Sequence, residues 1–191
     1  MKASEEFLQE LGRGGAETLE LISEMAEMVA YYRRMLERLE LDSLTGLPGS
    51  NKFREFTAGI ESFAESVGVI FFDVNGLKEC NDTKGHHAGD LLLQKAAESF
   101  HALTDENIRA FRIGGDEFVV VITNREAIVV EQTLAKWREI LSELNAANDG
   151  IYCSVAAGAA FGSGEYEIGS ILKLADERMY AEKISMKGAE T

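Results

Sequence analysis

The chain has 191 residues, enough for one domain with a full core and an appendage, and its balance of 46% hydrophobic and 27% charged residues is ordinary for a globular protein. A formal net charge of −14 argues against a nucleic-acid backbone as partner, because that partner requires a basic surface. No apolar run reaches the ~18 residues of a membrane span, and Met1 to Glu6 lacks the basic-then-apolar order of a signal peptide, so a cytoplasmic protein is expected.

In chain order, Met1 to Gly15 is polar and broken by Gly12, Gly14 and Gly15. Ala16 to Leu41 has neither Gly nor Pro and reads as a helix. Leu21, Met25, Met28, Tyr32, Met35 and Leu39 recur at alternating steps of four and three, the seam of a coiled coil, which predicts a self-associating stalk. Ile22, Val29 and Leu36 widen that stripe, so packing against its own domain is the competing reading. The domain boundary is expected at 41/42. Asp42 to Gly49 holds turn residues and the chain's only proline and reads as a hinge, and Asn51 to Ser66 as a helix that buries Phe53, Phe56, Ile60 and Phe63.

Gly68-Val69-Ile70-Phe71-Phe72-Asp73 is a strand that stops on a carboxylate. Buried alone, that group costs several kcal/mol, so Asp73 is expected to meet a cation, a metal or backbone donors, or else to cap a helix. Asn81 to Asp90 reads as a polar loop before a helix from Leu91 to Leu103, with Leu92, Ala96, Phe100 and Leu103 on one face and Asp90 as its N-cap. His86-His87 has no further His or Cys at a recognised metal-site spacing, and Cys80 and Cys153 have none either.

Ile108 to Phe111 and Val119 to Ile122 read as a hairpin around Arg112-Ile113-Gly114-Gly115-Asp116-Glu117-Phe118, the glycines supplying positive φ and a bare backbone beside two carboxylates. That arrangement suits a metal-bound phosphate. Arg125 to Asn145 reads as a helix with Trp137 inward. Ile151 to Phe161 is a strand of small residues, as expected where a helix backbone packs closely, and Ile168 to about Met186 is the last helix. Lys183 and Lys187, one turn apart, serve either that helix's C-terminal dipole or phosphates.

From Asp42 to Gly188 the chain resembles the GGDEF domain of bacterial diguanylate cyclases. The resemblance rests on Leu44-Thr45-Gly46-Leu47-Pro48, Phe72-Asp73-Val74-Asn75-Gly76-Leu77-Lys78, Asn81-Asp82, Gly85-His86, Ala88-Gly89-Asp90, Arg112 to Phe118, and Ala175-Asp176 with Met179-Tyr180 and Lys183, all in family order. It implies an α+β fold, a mainly antiparallel sheet wrapped by helices and related to the palm of nucleotidyl cyclases. It also implies condensation of two GTP into cyclic di-GMP and two pyrophosphates by a dimer. By resemblance Asp73, Asp116, Glu117 and the Val74 carbonyl would hold Mg²⁺ (or Mn²⁺), with Asp116 and Glu117 the catalytic carboxylates. Asn81 and Asp90 would read guanine and His86 would add a polar contact. Lys78, Lys183 and Lys187 would meet phosphates, and Gly114 and Gly115 would let the nucleotide approach.

Three departures stand out. Gly49-Ser50-Asn51 replaces the family's usual Asn-Arg-Arg, and Lys187 stands where arginine is common. Asp105-Glu106-Asn107-Ile108 replaces the Arg-x-x-Asp of the family's inhibitory product site, so that site is expected to be absent. A non-catalytic GTP-binding or interaction module of the same fold is the first alternative, and an adenylate cyclase, disfavoured by Asp90 and Asn81, the second. No sensor domain of ordinary size fits before Asp42, so either a fragment of a larger protein or regulation by a partner on the stalk is expected.

Overall fold

The computed structural model describes residues 18, 21–32, 40–146 and 150–189. It divides into two compact units, Met1–Glu40 and Leu41–Thr191. In the first, residues 21–32 form helix α1, on which Leu21, Met25, Met28 and Tyr32 are each more than half exposed. Met35, Leu36 and Leu39, the remainder of the expected seam, lie outside the described residues.

The second unit runs α2 (Ser50–Ala58), a 3₁₀ turn (Ile60–Ser62), β1 (Ser66–Val74), α3 (Leu77–Lys84), α4 (His86–His101), β2 (Ile108–Arg112), β3 (Glu117–Thr123), α5 (Ala127–Ala146), β4 (Val155–Ser163) and α6 (Ile168–Ala189). The sheet order is β2-β3-β1-β4 and every pairing is antiparallel, giving the α+β architecture expected.

Side chains alternate across the central strand β1. Ile70, Phe72 and Val74 enter one core with Leu92, Ala96 and Phe100 of α4 and Val130, Leu134 and Trp137 of α5. Trp137 is core, as expected, and its indole N–H donates to Ser99 Oγ at 3.0 Å, so its own buried donor is met. Val67 and Val69 enter the opposite core with Phe111, Val119 and Val121, closed by Phe53 and by Ile171 and Ala175 of α6. The small-residue strand has the reason anticipated. At Gly158 of β4 a Cβ would fall on Met179 N, Ala175 O and Arg178 C of α6, so only glycine lets helix and strand meet at this depth.

Several boundaries differ from the sequence reading. The helix expected to run to Ser66 ends at Ala58, and Gly59 leads into a 3₁₀ turn that leaves Phe63 exposed. The last strand begins at Val155, because Cys153 is held outside the ladder by a reciprocal pair of 2.8 Å bonds with the Asn145 amide. Residues 42–49 are not a free hinge. Asp42 N–H donates to Leu47 O at 2.8 Å, Leu47 is fully buried, and Arg112 N–H donates to Pro48 O at 2.9 Å, pinning the turn to β2.

Candidate active site

The site forms where β1 ends and β3 begins. In the ladder Asp73 lies directly opposite Glu117, and such partners have Cα atoms about 4.5–5.5 Å apart. Alternation along β1 puts Asp73 on the face of Val67 and Val69, the face covered by α6. Asp73 is only 6% exposed, and Lys183 Nζ of α6 stands 2.6 Å from its Oδ1. This buried oxygen thus has a counter-charge and still accepts no hydrogen bond among the described residues. The strand-end carboxylate is thus met by a cation, one of the options its burial demanded.

Glu117 lies above the usual carboxylate range. Desolvation is the largest cause, followed by the negative charges of Asp116, Asp73 and Asp176, with Lys183 opposing them. Its ionised form is therefore disfavoured by three neighbouring carboxylates on one small surface, a field that a bound cation would reverse.

Asp116 sits in the turn before β3, whose shape comes from its backbone. Val74 N–H donates to Asp116 O at 2.9 Å, and Ile113 and Gly114 N–H both donate to Glu117 O. Gly114 and Gly115 do not take positive φ, contrary to the hairpin argument; the positive-φ glycines described are Gly46, Gly76, Gly85, Gly150 and Gly164. What the signature glycines supply is the missing side chain. A Cβ at Gly114 would strike the Glu117 carboxylate, whereas Gly115 faces open space with nothing within 4 Å, leaving its backbone approachable.

Arg112, quoted in the motif but given no role, holds this turn. Its Nη2 donates to Gly115 O at 2.7 Å and its Nη1 to Asp42 Oδ1 at 2.8 Å. Burial pushes the Asp42 carboxyl up, but bonds from the Thr45 hydroxyl, from Arg112 and from the Thr45 N–H outweigh it and hold the group below its ordinary value. The Asp-x-x-Thr spacing points to the local turn of Asp42 with Thr45, not to the arginine that joins it.

The base-reading candidates lie on the α3–α4 hairpin that follows Val74. The expected loop is mostly helical: α3 ends at Lys84, Gly85 turns the chain with φ 86°, and α4 begins at His86 without a side-chain cap. Asp90 is therefore not an N-cap but an exposed residue within α4. Asn81 packs where a Cβ at Gly89 would strike its Oδ1, so Gly89 lets the Asn81 amide lie against the start of α4 beside Asp90. Lys78 in α3, His86 in α4 and Lys187 in α6 are exposed.

The structure thus gathers Asp73, Glu117 and Lys183, joins Asp116 to them through Val74, and places Asn81 with Gly89 and Asp90 as a second group. Among the described residues no three His, Cys, Asp or Glu side chains form a closed metal cluster. Mg²⁺ does not need one, since it is commonly held by one or two carboxylates with water and substrate phosphates. The hard-oxygen donors, the unbonded Asp73 oxygen and the carboxylate crowding at Glu117 fit such a cation. In the segment corresponding to the inhibitory site, Asp105 Oδ1 accepts from the N–H groups of Asn107 and Ile108, a purely local turn.

An antiparallel sheet whose two central strands bring carboxylates together under a lysine-bearing helix defines an α+β domain of the GGDEF type. The chain belongs to that family: residues 39–189 match the family model described as diguanylate cyclase, GGDEF domain. It is 29% identical over 177 residues to the diguanylate cyclase DosC of Escherichia coli K12, covering 86% of this chain and 38% of that protein. It is also 31% identical over 168 residues to the cyclic di-GMP phosphodiesterase PdeR of the same strain, covering 82% of this chain and 25% of that protein. The chain therefore spans well under half the length of these relatives.

Among solved structures, it is similar to the coiled coil and GGDEF domain of DgcB from Caulobacter crescentus in complex with c-di-GMP (TM-score 0.72, 22% identity, 89% of this chain and 94% of that one). A sensory box/GGDEF family protein from Caulobacter crescentus CB15 is 32% identical, with TM-score 0.60, over 76% of this chain and 99% of that one. No helix among the described residues is long and apolar enough to cross a membrane.

Proposed function

We propose that this chain is a cytoplasmic diguanylate cyclase that joins two GTP into cyclic di-GMP with release of two pyrophosphates. The observation that carries the reading is the pairing of Asp73 with Glu117 across β1 and β3, next to Asp116 and under Lys183. Asp73, Asp116 and Glu117 with the Val74 carbonyl would hold Mg²⁺ (or Mn²⁺), which when bound neutralises phosphate charge and acidifies the attacking 3′-hydroxyl. Lys183, with Lys78 and Lys187, offers mobile positive charge to the β and γ phosphates. Gly114 and Gly115 admit the nucleotide backbone. Asp90 accepts from guanine N1 and N2 together, an edge adenine does not present, while Asn81 and His86 complete the polar contacts.

Each domain supplies half a site, so two copies must face each other, each GTP's 3′-hydroxyl against the other's α-phosphate. The apolar stripe on α1 suits a stalk that raises the local concentration of the second domain.

A non-catalytic GGDEF module is the second reading, favoured by one finding: relatives such as PdeR are named as phosphodiesterases. Incubation with Mg²⁺ and GTP or ATP, with chromatography of the products, separates the two. The cyclase reading expects cyclic di-GMP from GTP and no cyclic product from ATP. In the same assay Asp90→Ala should raise the KM for GTP and narrow the preference over ATP. Full retention of that preference would move base reading to Asn81.

A further inference from the structure

Among the described residues strand β4 is an edge of the sheet, with no neighbouring strand on its outer side. Two side chains of α6, one turn apart, take that place. Arg178 Nη1 donates to the Ala159 carbonyl at 2.6 Å, and Glu182 Oε2 accepts from the Ala157 N–H. The other oxygen of Glu182 accepts from Arg138 Nη2 of α5 at 3.0 Å, so one carboxylate ties the helices of both faces around the edge. Between the two clips lies Gly158, where α6 and β4 meet backbone to backbone. Gly158 fixes how closely α6 approaches, and the clips on either side resist sliding along the strand.

This lock lies beside the site in both chains of residues that form it. Ala156, next to the clipped Ala157, pairs with Asp73, and Lys183, next to Glu182, holds Asp73. A lysine head on four flexible carbons is placed only as well as its root is. We propose that Arg178 and Glu182 are positioning residues that set the register of α6 on β4 and so the reach of Lys183, acting on GTP phosphates without touching them. This rests on the phosphate role given to Lys183 above.

The test joins hydrogen exchange to kinetics. The Ala157 amide should exchange slowly for an edge position, Glu182→Ala should speed it roughly tenfold or more, and Glu182→Gln, whose amide oxygen still accepts, should restore most of the protection. With Mg²⁺ and GTP, Glu182→Ala should raise KM roughly tenfold with a smaller fall in kcat, and Glu182→Gln should recover most of it. Arg138→Ala, which removes only the outer ion pair, should leave both constants at parent values. In a Lys183→Met background, Glu182→Ala should add nothing further to KM.

A KM unchanged in Glu182→Ala while Ala157 exchanges faster would overturn the proposal, as would an equal KM rise in the Lys183→Met background. Activity lost only in step with melting temperature would reduce the lock to a stabilising one. If the parent enzyme turns over no GTP, the cyclase reading fails by itself, and GTP affinity by calorimetry then decides. Weaker binding in Glu182→Ala supports the lock, and equal or absent binding overturns it.

Discussion

Asp73 and Asp116 reach the same surface from different surroundings, so their amides should fail differently. Asp116→Asn removes charge from a turn held by backbone bonds, and product formation should vanish while stability stays within about 0.5 kcal/mol of the parent. Asp73→Asn should abolish activity too, but it leaves the Lys183 ammonium, 23% exposed, without its counter-charge and should cost about 1–3 kcal/mol. Urea unfolding beside the product assay distinguishes them; equal stability in both variants would mean that the Lys183 contact contributes nothing.

Asp42 makes a pH prediction. Its carboxyl is depressed in the folded protein, so it contributes stability above its ordinary value of 3.8 and loses that contribution as pH falls through the lower folded value. Asp42→Asn should therefore cost about 1 kcal/mol at neutral pH, a modest figure because the pair is partly solvated. In urea titrations the gap from the parent should close below about pH 4.

At the level of elements, two glycines that look alike in sequence should respond in opposite ways. Gly158→Ala drives a methyl group into the backbone of α6 and should destabilise by about 1–3 kcal/mol. Gly115→Ala meets only open space and should leave the denaturation midpoint unchanged while lowering turnover, if nucleotide approaches there. What made the strands legible was local: apolar runs of strand length, with Asp73 as the polar residue ending one of them. The cores followed from the same periodicity, as Leu92, Ala96 and Phe100 on one face of α4 attest. Misreadings arose where local signals were mute. His86 starts a helix with no side-chain cap, and Gly59 interrupts one whose apolar spacing continues past it. Nor does any local pattern join Arg112 to Asp42, Lys183 to Asp73, or Glu182 to Ala157, since those pairs meet only once the sheet is assembled.

For the whole molecule, the exposed stripe of Leu21, Met25, Met28 and Tyr32 bears on the proposed pairing of two half-sites. Deleting residues up to Glu40 leaves the Leu41–Thr191 unit and its carboxylates in place. Specific activity at dilute enzyme should fall and should rise more steeply with protein concentration, while GTP binding per chain persists. Sedimentation of intact and truncated chains provides the control. Superimposable activity curves from a monomeric intact protein would leave pairing to the nucleotide alone.

The order in which the sheet is threaded has a consequence in time. Central β1 must wait for β3 and then for β4, each far along the chain, and such distant pairings close slowly. Helix α6, last of the described elements to leave the ribosome, brings two things at once: Ile171 and Ala175, which cover Val67, Val69 and Val121, and Lys183, which neutralises Asp73. Until it arrives, a nascent chain carries an uncovered apolar sheet face ending in an unneutralised carboxylate, the kind of intermediate that aggregates or recruits chaperones. Covering the sheet face and bringing Lys183 to Asp73 are therefore one event.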